Sequence, residues 1–175
     1  QTFGNLTVNK SGGTLTPQGA LTENGNFTIS QGTFAPGSYT HTVKGNWDDS
    51  GGTFQQTSGT IVLSPAALTT KTLKAGAANY FNNLTLNGDG VAQLTADTAA
   101  VDVNGNLTLT LGTLDPNGED MEVAGNWSET ENGVFQAAGG AVTFDGSTAK
   151  PITQASLNRF FNLTVNKGSS AKATT

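Results

Sequence analysis

One feature constrains this chain before any other: it repeats itself. Phe3-Gly4-Asn5-Leu6-Thr7-Val8-Asn9 returns as Phe81-Asn82-Asn83-Leu84-Thr85-Leu86-Asn87. It returns again, after a nearly equal interval, as Phe160-Phe161-Asn162-Leu163-Thr164-Val165-Asn166. Between these marks the two long copies run in parallel. Asn24-Gly25-Asn26-Phe27-Thr28-Ile29 matches Asn104-Gly105-Asn106-Leu107-Thr108-Leu109, and Gly32-Thr33-Phe34-Ala35-Pro36 matches Gly112-Thr113-Leu114-Asp115-Pro116. Val43-Lys44-Gly45-Asn46-Trp47 likewise matches Val123-Ala124-Gly125-Asn126-Trp127. Self-similarity at a fixed period marks architectures in which each unit buries its apolar side chains only by stacking on the next.

A shorter period is nested in the long one. The Asn of each Asn-x-apolar mark falls at 5, 26, 46, 83, 106, 126 and 162, so most gaps are alike and two are nearly twice as long, spanning two short periods. Thr60-Ile61-Val62-Leu63 and Ala141-Val142-Thr143-Phe144 fill those long gaps as strands without the Asn. Each short period reads as three strand-like pieces. In the one from Asn26 these are 26–30, 33–35 and 39–43, with Gln31-Gly32 and Pro36-Gly37 as corners. Phe27 and Ile29 point one way, and Asn26, Thr28 and Ser30 the other, the period-two alternation of a half-buried strand. No segment carries a helical stripe. The reading is an all-β, parallel β-helix (solenoid), with about 20 residues per coil, eight to nine coils and a long repeat of about 78–81 residues. Right-handed coiling is the expectation for parallel crossovers. The units are 1–80, 81–159 and the start of a third at 160–175, in one continuous solenoid. A β-sandwich also uses closely spaced short strands, but it has no reason to repeat at one short, fixed period.

The succession Gly105-Asn106-Leu107-Thr108-Leu109, Gly112-Thr113-Leu114, Pro116, Val123-Ala124-Gly125-Asn126-Trp127, Val142-Thr143-Phe144 and Phe161-Asn162-Leu163-Thr164-Val165 resembles repeats of large secreted bacterial surface proteins. These include adhesins, filamentous haemagglutinin-like exoproteins and autotransporter passengers. The resemblance spans nearly the whole chain. It implies an extracellular or cell-surface protein whose repeats serve as stalk, fibre or surface layer. It brings no ligand-binding motif with it.

Two repeated side-chain sets carry the candidate function. Asn5, Asn26, Asn83, Asn106, Asn126 and Asn162 all stand in Asn-x-Ser/Thr sequons. They fit either glycosylation of an extracellular rod or an internal amide ladder, with Asn46 in the same phase. Their fixed place in the coil favours the ladder. Phe27, Trp47, Leu84, Leu107, Trp127 and Leu163, together with Leu6, form the expected core stack. The alternative for the two Trp residues is an exposed aromatic platform for sugar rings, as in an adhesin or carbohydrate-binding module.

Other chemistries find little support. The acidic residues, among them Asp48, Asp49, Asp97, Asp102, Glu122 and Glu129, mostly fall in or beside turns and do not form the paired carboxylates of a glycosidase, so no enzyme and no catalytic residue is expected. The turn Asp115-Pro116-Asn117-Gly118-Glu119-Asp120 is rich in oxygen ligands, but Ala35-Pro36-Gly37-Ser38-Tyr39-Thr40 lacks the acids, so a repeated calcium site is not expected. His41 is the only His and reads as a surface or edge residue. Thr7, Thr28, Thr85, Thr108 and Thr164 recur as an ice-binding face would need, but Trp47 and Trp127 break the register and no Thr-x-Thr ladder is read through consecutive coils, so ice binding is not expected. No cofactor and no metal are expected. A net charge of −5 with eight Lys and Arg argues against nucleic acid, and no apolar stretch approaches a membrane span. The absence of Cys excludes a disulfide framework and thiolate chemistry. Neither end carries a polar cap. The expected partners are therefore further copies pairing head to tail at open β edges, or the continuation of a longer repeat array, with surface glycans as the alternative. The functional expectation is a structural building block of an extracellular filament, sheath or stalk.

Overall fold

A computed structural model describes residues 1–94, 100–155 and 158–166. Every regular element among them is a strand. The strands stack in parallel about 21 residues apart and wind into a solenoid of about seven turns. At the ~4.8 Å spacing of paired strands this is a rod about 34 Å long.

Each turn has three faces. The first stacks Thr2–Phe3, Thr22–Glu23, Thr40–Val43, Thr60–Leu63, the starts of Asn83–Leu94 and Leu107–Asp115, Trp127–Glu129 and Ile152–Thr153. The second stacks the start of Leu6–Leu15, the start of Phe27–Phe34, Trp47–Asp48 and Thr70–Lys74, then 91–94, 113–115 and Gly133–Phe135. The third begins with Thr14-Leu15, Thr33-Phe34 and Thr53–Phe54. It passes through the Gln55–Tyr80 bridge to Tyr80–Phe81, Val101–Val103, Met121–Val123, Ala141–Phe144 and Asn162–Val165. Phe27–Phe34, expected as two pieces, is one strand that bends round a corner and serves two faces.

The turn count falls below the expected eight to nine because the coils are longer than the Asn spacing suggests. On the first face Thr22 pairs with Thr42 and Thr108 with Ser128, but Val62 pairs with Thr85 and Ser128 with Thr153, so some steps along the chain are longer than others. The extra residues lie in corner segments such as 64–69 and 145–151.

Those corners make the long repeat close one face short of four full turns. Leu6 lies on the second face, paired with Phe27. Its equivalent Leu84 lies on the first, between Ile61 and Leu107, and Leu163 lies on the third, beside Val142. Copies alike in sequence are thus turned about the axis by one face. Residues of different repeat phase then fall into line. Thr2, Thr22, Thr42, Val62, Thr85, Thr108, Ser128 and Thr153 form one outward column on the first face. Aligning the copies hides this column, because its members are not repeat equivalents.

Phe27, Trp47, Leu84, Leu107 and Trp127 all point inward and are each 1% exposed. Trp47 stacks on Phe27 with ring centroids 4.3 Å apart and meets Phe54 and Phe81 at its other edges. Trp127 sits among Phe135, Phe144 and Phe160. Each large side chain removed from water in this way contributes roughly 1.5–3 kcal/mol. Leu163, grouped with these residues from the sequence, is instead 50% exposed. It lies on the last described rung, where no described strand covers it.

Candidate functional site

The conspicuous polar construction is a ladder at the Gly-Asn corner. Asn5 Oδ1 accepts the Asn26 backbone N–H at 2.7 Å, Asn26 Oδ1 accepts that of Asn46 at 2.9 Å, and Asn46 Oδ1 that of Thr72 at 3.0 Å. In the second copy Asn83 Oδ1 accepts from Asn106 and Asn106 Oδ1 from Asn126, both at 2.9 Å. Each side chain thereby satisfies a backbone donor that the sharp corner takes out of the sheet pairing. The glycine before Asn26, Asn46, Asn106 and Asn126 is required by close approach: a Cβ on Gly125, for one, would overlap the backbone of Gly105 on the rung beneath. The second ladder ends at Asn126, because the residue stacked on it is Pro151, which has no N–H. Asn162 stands exposed on the last described rung. Asn26 and Asn106 are also exposed, so a bonded Oδ1 does not hide these sequons from solvent. Asn83 differs in that its Nδ2 donates to Gly59 O at 2.9 Å.

A second construction lies inside the rod and repeats in both copies. Two residues beyond each Trp comes a buried acid, Asp49 or Glu129, and a buried or half-buried Asn from the next turn reaches it. Glu129 Oε1 accepts the Trp127 indole N–H at 2.6 Å, and its Oε2 accepts Asn158 Nδ2 at 2.6 Å and the Ala155 N–H at 3.3 Å. In the first copy Asp49 Oδ1 accepts the Gly76 N–H at 2.6 Å, while Asn79 Nδ2 donates to the carbonyls of Asp49 and Gly52. Aspartate is one methylene shorter. Its Oδ2 and the Trp47 indole nitrogen remain buried without a hydrogen bond, although the indole still pulls the carboxyl's pKa downward. Burial outweighs that pull together with those of Gly76 and Asn79, and with Asp48 adding repulsion it raises Asp49 to about 6.

Asp49 does stand beside the turn at Ser50-Gly51, and Glu129 ends the strand Trp127–Glu129, but the side chains of both are buried in the core. Asn79 and Asn158 escaped the sequence reading altogether. Their signal was present, since each stands two positions before the Phe that opens a new copy, Phe81 or Phe160.

The first copy also buries two groups that the second does not. Glu23 is 1% exposed, and its register partners are Phe3 and Val43. Burial, opposed by a backbone hydrogen bond and the N-terminal ammonium, raises its pKa to about 7. His41 is 2% exposed, which overturns its reading as a surface or edge residue. Its Nδ1 accepts the Leu21 N–H at 3.1 Å, leaving Nε2 to donate to Pro36 O at 3.1 Å. Burial lowers its pKa, against the pull of the Pro36 carbonyl.

Among the remaining acids, Asp48 and Asp115 hold turns, Asp120 bonds to the next rung, and Asp102 and Glu122 lie in strands. Asp115 accepts from the Asn117 N–H and from Gln93 Nε2, both at 2.8 Å, and Asp120 accepts the Ala141 N–H. Asp102 is raised to about 6 by burial, then by the charges of Asp145 and Glu122. Asp97 lies outside the described residues, as do positions 167–175 of the third unit. Among the described residues no three His, Asp or Glu side chains converge as a metal site, and no helix is long and apolar enough to cross a membrane. No protein family, curated protein or solved structure matches the chain.

Proposed function

We propose that this chain is a structural building block of an extracellular filament, sheath or cell-surface stalk, in which solenoid segments stack end to end or continue as a longer repeat array. The observation that carries the reading is the character of the last described rung. Among the described residues Asn162–Val165 pairs on one side only, with Ala141–Phe144, and Phe161, Leu163 and Val165 are 66%, 50% and 45% exposed. An unpaired strand edge bearing large apolar side chains is a template for another strand. The same segment in the first copy, Leu6-Thr7-Val8, is covered by Phe27-Thr28-Ile29 of the next turn. Further support comes from the investment of both polar constructions in rung-to-rung bonding, and from the resemblance to secreted surface repeats. The two Trp residues serve the rod as core, so they offer no platform to a sugar.

Electron microscopy and sedimentation of purified protein at physiological salt test the proposal. Rods lengthening with concentration in multiples of the ~34 Å segment, with a ~4.8 Å axial repeat in fibre diffraction, are expected. Particles that stay single at every concentration, and remain so when several copies are joined in one chain, would overturn it.

A further inference from the structure

Beside the 64–69 corner the rod surface is hollowed. Thr70, Val91, Thr113 and Val134 form an outward column on the second face. The corner segment rises next to it, held by Thr69, whose N–H and hydroxyl both donate to Ala66 O at 3.2 and 2.7 Å. At its crest Leu68 has φ of 60° and is fully exposed. A leucine held in the left-handed region without packing to reward it serves folding poorly, and strain of this kind concentrates at functional positions. Under the crest, a Cβ on Gly90 would overlap the carbonyls of Ala66 and Thr69. The corner thus seats directly on the Gly90 backbone, and beside it lies a groove of about 520 Å³.

We infer that this groove binds a neutral oligosaccharide. Leu68, Val91 and Val134 give it an aliphatic side suited to the C–H face of a sugar ring, while Asp89, Thr113 and Asn132 offer hydroxyl, amide and carboxylate groups to ring hydroxyls. No lining residue is a cation, and Asp89 repels anions, so phosphates and uronic acids do not fit. The central floor strands 91–94 and 113–115 are paired on both sides, so an extended peptide could pair only at the margin, as along Gly133–Phe135. Rungs ~4.8 Å apart approximate the advance of one sugar unit along an extended glycan, and the four-residue column spans about 14 Å, room for three units. The inference is independent of the end-to-end stacking proposed above.

Calorimetric titration of the full chain with cellohexaose, laminarihexaose and mannohexaose, against hexagalacturonate as the anionic control, tests it. At least one neutral hexasaccharide is expected to bind saturably, and at least tenfold more tightly than the control. Leu68→Gly, which suits the observed φ, and Val134→Glu, at an exposed strand position, are each expected to weaken binding tenfold or more with circular dichroism unchanged. Failure of all three neutral sugars at millimolar concentration, equal binding of hexagalacturonate, or unchanged affinity in both variants would overturn the inference.

Discussion

The first and second copies share their sequence marks but solve the same packing problem with different chemistry. Where the second copy places Val103 and Met121 in the wall of the core, the first places Glu23 and His41. Where the second satisfies its indole through Glu129, the first leaves Trp47 without a bond beside the shorter Asp49. Each Trp touches three phenylalanines, but the first copy stacks one of them: Phe27 lies nearly parallel on Trp47 at 4.3 Å, whereas Phe135, Phe144 and Phe160 all meet Trp127 edge-on. Polar satisfaction and aromatic packing are thus alternative ways to hold one coil on the next. The turned phase of the copies matters here, because each copy presents its Trp to a different face and need not match the other's contacts.

The largest effect should come from breaking the Trp stack. Trp127→Ala opens a cavity expected to cost about 3–5 kcal/mol. It also strands Glu129 Oε1, a buried acceptor worth roughly 1 kcal/mol or more when unpaired. Trp47→Ala opens a similar cavity but loses no indole hydrogen bond. Urea unfolding of both variants at one pH should therefore show the greater loss for Trp127→Ala. Equal losses, or a greater one for Trp47→Ala, would mean that the Phe27–Trp47 stack outweighs the buried polar cluster.

Next in size is the removal of the acid from the first copy's core wall. Glu23→Val installs the residue that the second copy uses. The folded pKa of about 7 lies above the ordinary 4.5, so the folded state holds this proton more tightly than the unfolded chain. The acid's stabilisation is fully present below about pH 4.5 and lost as pH rises through 7. Glu23→Val should then gain about 1–3 kcal/mol at pH 8 and much less at pH 4. The contribution of His41 runs the opposite way, present above 6.5 and fading as pH falls through its lowered pKa, but it cancels when parent and variant are compared at the same pH. A gain independent of pH would show that Glu23 titrates alike in the folded and unfolded chain, its carboxyl not raised by burial.

Most of the architecture was legible because the solenoid writes its geometry into periodicity: the Asn register, the inward Phe27 and Ile29, and the glycine-marked corners all survive as pattern. What pattern could not carry is winding. The interval from Phe3 to Phe81 looks like four equal coils, and only the strand partners of Leu6, Leu84 and Leu163 show each copy starting on a different face. For the same reason the threonine column of the first face and the groove at 64–69 had no sequence signature. The buried acids were misplaced because carboxylates are ordinarily exposed, and their partners Asn79 and Asn158 lie a full turn away in the chain.

The smallest effect probes the end of the amide ladder. Asn106→Ala removes an acceptor from the Asn126 N–H and should cost about 1 kcal/mol, in protein made without glycosylation. Asn126→Ala removes the same chemical group, but the residue stacked above it is Pro151, which has no N–H to strand, so its cost should fall below half of that. Pro151→Thr supplies the missing donor, as Thr72 does for Asn46 in the first copy. In that background the penalty for Asn126→Ala should rise toward the Asn106→Ala value. A double-mutant cycle over Asn126 and Pro151, read from urea midpoints, measures this coupling directly. If the coupling is zero, the Asn register is kept for corner geometry alone, and the hydrogen bonds along it contribute nothing to holding turn on turn.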